Sequence, residues 1–597
     1  MNPGFQQSVA TRLQTSLFGA HAASGSEVGT ALAACRNALV GVALFSGMSN
    51  ILMLTGAFFM LEVYDRVLPS RSVPTLFGLT VIAVALFAAM GVLDFIRGRI
   101  LVRIGASLDE RLSGRVYDTL IRLPLRAGKM TDGLQPLRDL DNIRSFLSGM
   151  GPIAFCDLPW LPLYLIICFI FHPLIGLAAL FGAIVLAVIT LIAELRTRKP
   201  VQRAAHLAHS RNGIAELSQR NAEALSAMGM AGRIAARWDD ANRRYMDTQR
   251  EASDVAGGLG SVSRVFRMML QSGVLAIGAW LVINQQATAG IIIAGSILSA
   301  RALAPVDLAI ANWTSFAAAR MSWRRLSRLL SVFPEPAAVM PLDPPKKSLS
   351  VESLSAMPPG VQKFVVQDVH FSLEAGSGLG VIGPSGSGKS CLARLLVGVW
   401  PPARGSIRLD GATLEQWTPE TLGPHIGYLP QDVELLSGNI AQNIARFEAE
   451  ARAEDVLAAA RAAGVHELIV KMPEGYETQV GDQGNALSAG QAQRIALARA
   501  LYREPFLVVL DEPNSNLDAE GDEALTRAIA SVRERGGIVI VIAHRPSAIA
   551  GVDYVLVMNQ GRQQIFGPKE DILSKVLQRP PLPRPLKIVP DAGSASS

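Results

Sequence analysis

Four stretches of the chain are apolar and free of charge. Residues 38–61, 76–93, 158–193 and 268–300 contain no Asp, Glu, Lys or Arg over 24, 18, 36 and 33 positions. A helix needs about 20 residues to cross ~30 Å of hydrocarbon at ~1.5 Å per residue. Polar breaks at His172 with Pro173, and at residues 284–286, divide the two longer stretches into two spans each. The pattern predicts six spans, near residues 38–61, 76–96, 157–171, 174–193, 265–284 and 288–310, in a transmembrane domain covering 37–333. Between them, residues 97–153 and 196–264 keep helical periodicity with Arg and Asp interspersed, as helices that leave the membrane. Residues 62–75, with charges and two prolines, read as a turn between the first two spans.

Beyond residue 348 the pattern changes. Short apolar runs suited to buried strands alternate with helical stretches up to residue 577, which predicts an α/β domain over 349–577. A proline-rich linker, 334–348, joins the halves, and the Pro- and Ser-rich tail, 578–597, is expected to be disordered. The overall expectation is a multi-domain membrane protein: an all-α six-helix transmembrane domain followed by an α/β domain.

Charge sets the orientation. Residues 97–144 and 196–264 hold more than twenty Lys and Arg, whereas the opposite loops hold only Arg66 and Arg71. The basic side is cytoplasmic by the positive-inside rule, and the α/β domain is with it. The net charge of +6 follows from this asymmetry, so no nucleic-acid partner is needed to explain it. Residues 1–36 lack a compact apolar core and are read as a short cytoplasmic segment rather than a secretory signal. Cys35, Cys156, Cys168 and Cys391 show neither disulfide nor zinc-site spacing. Arg301, a dozen residues into the last span, either lines a polar path or marks that helix's cytoplasmic boundary. Residues 216–229 are either a contact with the ATPase half or a solvated helix face.

The chemistry concentrates in the second half. Gly383, Pro384, Ser385, Gly386, Ser387, Gly388, Lys389, Ser390 and Cys391 fit G-x-x-x-x-G-K-[ST], between an expected strand and an expected helix. Such a loop turns backbone N–H groups toward ATP phosphates at a helix start. Lys389 suits the β- and γ-phosphates, and Ser390 suits Mg²⁺. Downstream, Gln431 can touch Mg²⁺ or the attacking water. Residues 487–491 open a helix and form a second anion site. A strand ends in Asp511, suited to the Mg²⁺ shell, and Glu512, suited to general-base work. Another delivers His544 toward the γ-phosphate.

This ordered set resembles the ATPase domain of ABC transporters, and with six preceding spans the chain resembles an ABC exporter half-transporter of the type I fold. The resemblance implies a homodimer, in which Ser488, Gly490 and Gln491 engage the partner copy's ATP and Asp518 links the two sites. The phrases VYDRVLPS (63–70), DLPW (157–160), ARALAPVD (300–307) and DEPNSNLD (511–518) are similar to type I protein-secretion transporters, nearest the protease, lipase and S-layer exporter branch. Relatives with a peptidase-like domain place it before the first span, where 37 residues stand here. The resemblance further implies a Gram-negative inner-membrane location, a periplasmic adaptor (membrane fusion protein) and a TolC-like outer-membrane channel. The implied cargo is a protein with an uncleaved C-terminal signal, often a glycine-rich calcium-repeat protein. The competing expectation on the same fold is export of lipids or small hydrophobic compounds.

Four departures qualify the resemblance. Ala489 and Ala492 replace residues that are usually glycine and often arginine; a positive φ at Ala489 would cost about 1 kcal/mol or more. Residues 354–360 lack an aromatic to stack on adenine, leaving an aliphatic side chain or Phe364. Cys391 stands where threonine is common, which predicts sensitivity of the ATPase to thiol alkylation.

Overall fold

The computed structural model describes residues 27–128, 133–334, 342–481, 484, 486–543 and 549–577. The chain divides into two compact units, one of residues 1–120 with 134–334 and the other of 121–133 with 335–597. The expected tail and most of the N-terminal segment lie outside the described residues.

Among the described residues six helices are long and apolar enough to cross a membrane: Arg36–Ser70, Val73–Arg126, Gly151–Phe171, Pro173–Arg220, Ala231–Ile283 and Ala289–Ala311. Several run far past the hydrocarbon thickness, since 53 residues at ~1.5 Å each reach about 80 Å. Leu281, Leu298, Ala179, Ile175 and Tyr164 pack where the spans meet, while many other apolar side chains face outward, as lipid-facing surface requires.

The stretch expected to be a turn after the first span is instead helical. Val63–Val67 forms a π-helical turn and Leu68–Ser70 continues it, ending at Arg71 with φ 52°. Pro74 falls in the first turn of the next helix, where no intrahelical donor is lost. The extra residue of the π turn accompanies a long-range cap. Asp65 accepts from Gly290 N at 2.8 Å and from Thr288 Oγ1 at 2.5 Å, at the start of helix Ala289–Ala311. A carboxylate there meets free backbone donors and the positive end of the helix dipole.

A buried polar network ties the first three spans. Asp157 Oδ1 accepts from Asn50 Nδ2 at 2.8 Å and from Arg97 Nη1 at 3.1 Å, and Arg97 also donates to Ser46 Oγ at 2.9 Å. Tyr164 donates its hydroxyl to Asn50 O at 2.8 Å. Charges in such a setting are stable only as a paired, hydrogen-bonded group. Arg97, read from sequence as the start of a cytoplasmic segment, is one of its members. Arg301 is exposed in the single chain, and residues 222–227 form a short exposed helix between two long ones.

The second unit is built on a ten-stranded sheet. Its strands are β1 (Ser348–Ala356), β2 (Val366–Glu374), β3 (Gly378–Ile382), β4 (Arg404–Leu409), β5 (Ala412–Thr413), β6 (Ile426–Leu429), β7 (Leu507–Asp511), β8 (Ile538–Ile542), β9 (Tyr554–Asn559) and β10 (Arg562–Pro568). Their order is β5-β4-β1-β2-β10-β9-β3-β8-β7-β6. From β9 to β6 the neighbours are parallel, and the β1, β2, β4 and β5 wing is antiparallel. Parallel strands are covered on both faces, which explains why β7 and β8 are apolar at every position before Asp511.

Successive side chains of a strand point to opposite faces, and the core divides accordingly. Leu507, Val509, Ile538, Ile540 and Ile542 pack with Leu392, Ala393, Leu395 and Leu396 of helix Lys389–Leu396. Val508, Leu510, Val539 and Val541 pack instead with Ile495, Ala496, Leu497 and Ala498 of helix Ala489–Leu501. The two helices whose starts are candidate phosphate sites therefore cover opposite faces of one sheet.

Candidate nucleotide site

The loop after β3 leads directly into helix Lys389–Leu396. Gly388, at its N-cap, has φ +93°, and a Cβ there would sit 2.6 Å from the carbonyl oxygen of Val365. Both the backbone conformation and the close approach of the β1–β2 connection therefore require glycine. Ser387 is buried, and its Oγ has no hydrogen-bond partner among the described residues. Lys389 Nζ donates to the carbonyls of Gly383 and Pro384, both at 3.0 Å. Burial lowers the Lys389 ammonium below its ordinary pKa, against the pull of Glu512 and Asp511. Ser385 and Gly386 are exposed on the loop.

Strand register gathers further groups at the carboxyl edge of the parallel sheet. Val381 of β3 pairs with Ile542 of β8, Ile542 with Asp511 of β7, and Leu510 with Leu429 of β6. The phosphate loop, Asp511 with Glu512, and Gln431 thus follow the ends of neighbouring strands, where α/β folds place their ligands. Gln431 is exposed there. His544 comes two residues after the end of β8 and lies outside the described residues, so its placement is not described.

Ser390 Oγ donates to Asp511 Oδ1 at 3.2 Å. Burial raises the Asp511 carboxyl above its ordinary range, partly offset by this hydrogen bond. A hydroxyl beside one carboxylate is a hard-oxygen pair suited to Mg²⁺ that keeps waters and shares phosphate oxygens. Among the described residues no group of three or more His, Cys, Asp or Glu could hold a metal, so a cage made only of such side chains is not formed there. Glu512 is half-buried and adopts φ +51°, a conformation costing ~1–3 kcal/mol for a residue with a side chain. Its N–H donates to Ile542 O at 2.9 Å, which ties it to β8.

The second helix start is constructed differently. Ser488 caps helix Ala489–Leu501 in a reciprocal box: its Oγ accepts from Gln491 N at 3.3 Å, and Gln491 Oε1 accepts from Ser488 N at 2.9 Å. Such a cap contributes about 1 kcal/mol. Ala489, at the first helical position, is not among the described residues with positive φ, so alanine carries no strain there. Gly490 is also outside the left-handed region, but a Cβ on it would lie 2.9 Å from Asn516 O. Asp518 caps helix Ala519–Glu534 through Gly521 N at 2.9 Å and pairs with Arg494. These two donors hold its carboxyl below the ordinary range.

Two contributors escaped the sequence reading. Gln493 and Arg494 lie just after Gln491 on the buried side of the same helix, and both hold the 512–518 loop. Their signal was polarity at positions where this helix is otherwise apolar. The base-stacking alternatives also narrow. Phe364 carries the Arg404 guanidinium over its ring at 5.9 Å, whereas Met357 and Val361 expose apolar surface on the same connection.

Known proteins share these features. Residues 366–515 match the ABC transporter family, and residues 39–306 match the ABC transporter transmembrane region. The chain is 56% identical over 567 residues, 95% of its length and 97% of the relative's, to the type I secretion system ATP-binding protein PrsD of Rhizobium meliloti (strain 1021). It is 30% identical over 539 residues, 88% of its length and 74% of the relative's, to the cyclolysin secretion/processing ATP-binding protein CyaB of Bordetella pertussis. To the alpha-hemolysin translocation ATP-binding protein HlyB of Proteus vulgaris it is 28% identical over 533 residues, covering 87% and 74%. A solved bacterial Atm1-family ABC exporter with ATP bound superimposes with a TM-score of 0.75 over 91% of this chain and 97% of that one, at 24% identity, a likeness of fold. The chain belongs to the ABC transporter family, among its type I secretion ATP-binding proteins.

Proposed function

We propose that this chain is the membrane ATPase of a type I secretion system, exporting a protein from the cytoplasm by ATP hydrolysis in a homodimer. The observation that carries the reading is the joint one: near-full-length similarity to a type I secretion ATP-binding protein, and a phosphate loop with strand-end carboxylates in the expected geometry. The placement of the two helix starts on opposite faces of one sheet supports the dimer, because the signature turn at 488–491 then serves an ATP held by another copy.

In this reading the backbone N–H groups of 385–390 and the Lys389 ammonium bind the phosphates. Ser387 Oγ, buried and unpartnered among the described residues, gains an acceptor there. Ser390 and Asp511 would hold Mg²⁺, which supplies charge neutralisation on the phosphate oxygens. Glu512 accepts a proton from the attacking water, Gln431 orients that water, and His544 contacts the γ-phosphate. Cys391 follows the metal-binding hydroxyl in the first turn of the helix, and the adenine rests on the aliphatic surface of Met357 and Val361. Ser488, Gly490 and Gln491 engage the ATP of the second copy, and Asp518 links the two sites.

The further assembly is proposed from the family resemblance. It comprises a periplasmic adaptor, a TolC-like outer-membrane channel, a Gram-negative inner-membrane location and a cargo with an uncleaved C-terminal signal, of the calcium-repeat class. The test is secretion. Cells co-expressing the chain, its adaptor, the channel and a candidate cargo should release cargo into the medium. Glu512→Gln, or removal of the cargo's C-terminal segment, should stop release. Undiminished release with Glu512→Gln would refute the reading.

A further inference from the structure

Gln493 occupies the second turn of helix Ala489–Leu501 and is 3% exposed. Its Nε2 donates to the carbonyl of Glu512 at 3.3 Å and to that of Pro513, with Ser515 Oγ 3.4 Å away. Its Oε1 accepts from Asn516 N at 3.0 Å. A primary amide offers two donors and an acceptor oxygen, and here both ends are spent on one loop. That loop begins with Glu512 in the left-handed conformation, a backbone state that persists only where its surroundings impose it.

The same helix grips the loop at two more points. Gly490 lies against Asn516 O, and Arg494 pairs with Asp518 at the loop's far end. Within its first two turns, this helix therefore carries the signature turn at its tip and three holds on the segment that begins with the general base. We propose that Gln493 is a positioning residue for hydrolysis. It fixes the backbone that leaves Glu512, whose own N–H is held by β8, and so carries engagement of the signature turn in one ATP site to the carboxylate of the other. The proposal rests on the dimeric ATPase reading above. Gln493 is buried with its amide spent on the 512–516 segment, so it acts through where Glu512 stands.

The test uses the full-length protein in membranes or detergent. Gln493→Met keeps the side-chain volume and removes every hydrogen bond. Gln493→Glu keeps the acceptor for Asn516 N but turns the donor end into an oxygen facing carbonyls. In both, kcat should fall by about tenfold to a hundredfold while the KM for ATP stays within about twofold, because Glu512 acts on the transition state rather than on ground-state binding. Cooperativity in ATP should fall with it, to a Hill coefficient of about 1. A kcat within about twofold of the parent in both variants would overturn the proposal. So would a parallel loss of nucleotide binding and melting temperature, which marks a merely structural role. A lowered kcat with unchanged cooperativity overturns the relay between sites. Glu512→Gln, measured alongside, separates the levels: if it hydrolyses ATP normally, the parent reading fails. If it is inactive while Gln493→Met is normal, the proposal fails alone.

Discussion

The starts of helices Lys389–Leu396 and Ala489–Leu501 are two differently built candidate phosphate sites at a helix N-terminus. The first reaches its geometry through left-handed backbone. Gly388 has φ +93° and stands 2.6 Å, measured from an added Cβ, from Val365 O. The second has an ordinary extended N-cap, Ser488, followed by helical residues, and its glycine answers to a neighbour, Asn516 O, rather than to its own φ. The difference explains what each turn tolerates. A side chain at Ala489 costs nothing in backbone strain, so this departure from the family pattern leaves the turn intact. The faces teach more. One helix covers the side of the sheet with Leu507 and Val509, the other the side with Val508 and Leu510. Two candidate anion sites arranged so fit the proposal that each serves a different ATP.

The comparison can be broken in graded steps. Lys389→Ala removes the cation inside the first turn and should lower ATPase activity by at least about a hundredfold, with nucleotide binding weakened. Gly388→Ala imposes both strain and a clash with backbone; an unfolding measurement should show a loss of ~1–3 kcal/mol together with lost ATP binding. Gly490→Ala should act differently. Hydrolysis should fall about tenfold as the turn moves off Asn516, while ATP binding at the phosphate loop is kept, as equilibrium binding of a fluorescent ATP analogue would register. Ala489→Gly should change turnover by less than about twofold, because neither φ nor space limits that site, and helix stability by less than about 1 kcal/mol.

Cys391 gives a pH-dependent probe of the first turn. The side chain is half-buried and its thiol is pushed above its ordinary range, mainly by burial. The thiolate is the reactive form, so alkylation should be slower than for a free thiol at neutral pH and accelerate as pH rises toward that elevated value. ATP should protect it. Labelling as fast as free cysteine at neutral pH would contradict this environment.

Local pattern carried much of this architecture. Uncharged runs marked six spans because lipid selects for them. The phosphate loop was legible because strand, glycines and helix are contiguous. Gln493 was legible only as a polar residue on an apolar helix, since its partners are backbone groups about twenty residues away that only the tertiary fold brings near. The π turn at Val63–Val67 and the cap Asp65 provides at Gly290 were missed for the same reason, as the pairing spans 225 positions. Arg97 looked like the first basic residue beyond a span; its pairing with Asp157 shows how a charge is retained inside a bundle. The opposite faces of the two helix starts follow from alternation along β7 and β8, readable only once both helices are assigned to their sides.

The most direct measurement of the central claim is a disulfide between the two turns. Ser385→Cys and Ala489→Cys would be introduced together, with the four natural cysteines replaced and Glu512→Gln added to hold ATP. Oxidation with ATP should give a covalent dimer, joining Cys at 385 of one copy to Cys at 489 of the other, and far less without nucleotide. An ATP-dependent bond between the two positions of a single chain, with no dimer formed, would contradict the account.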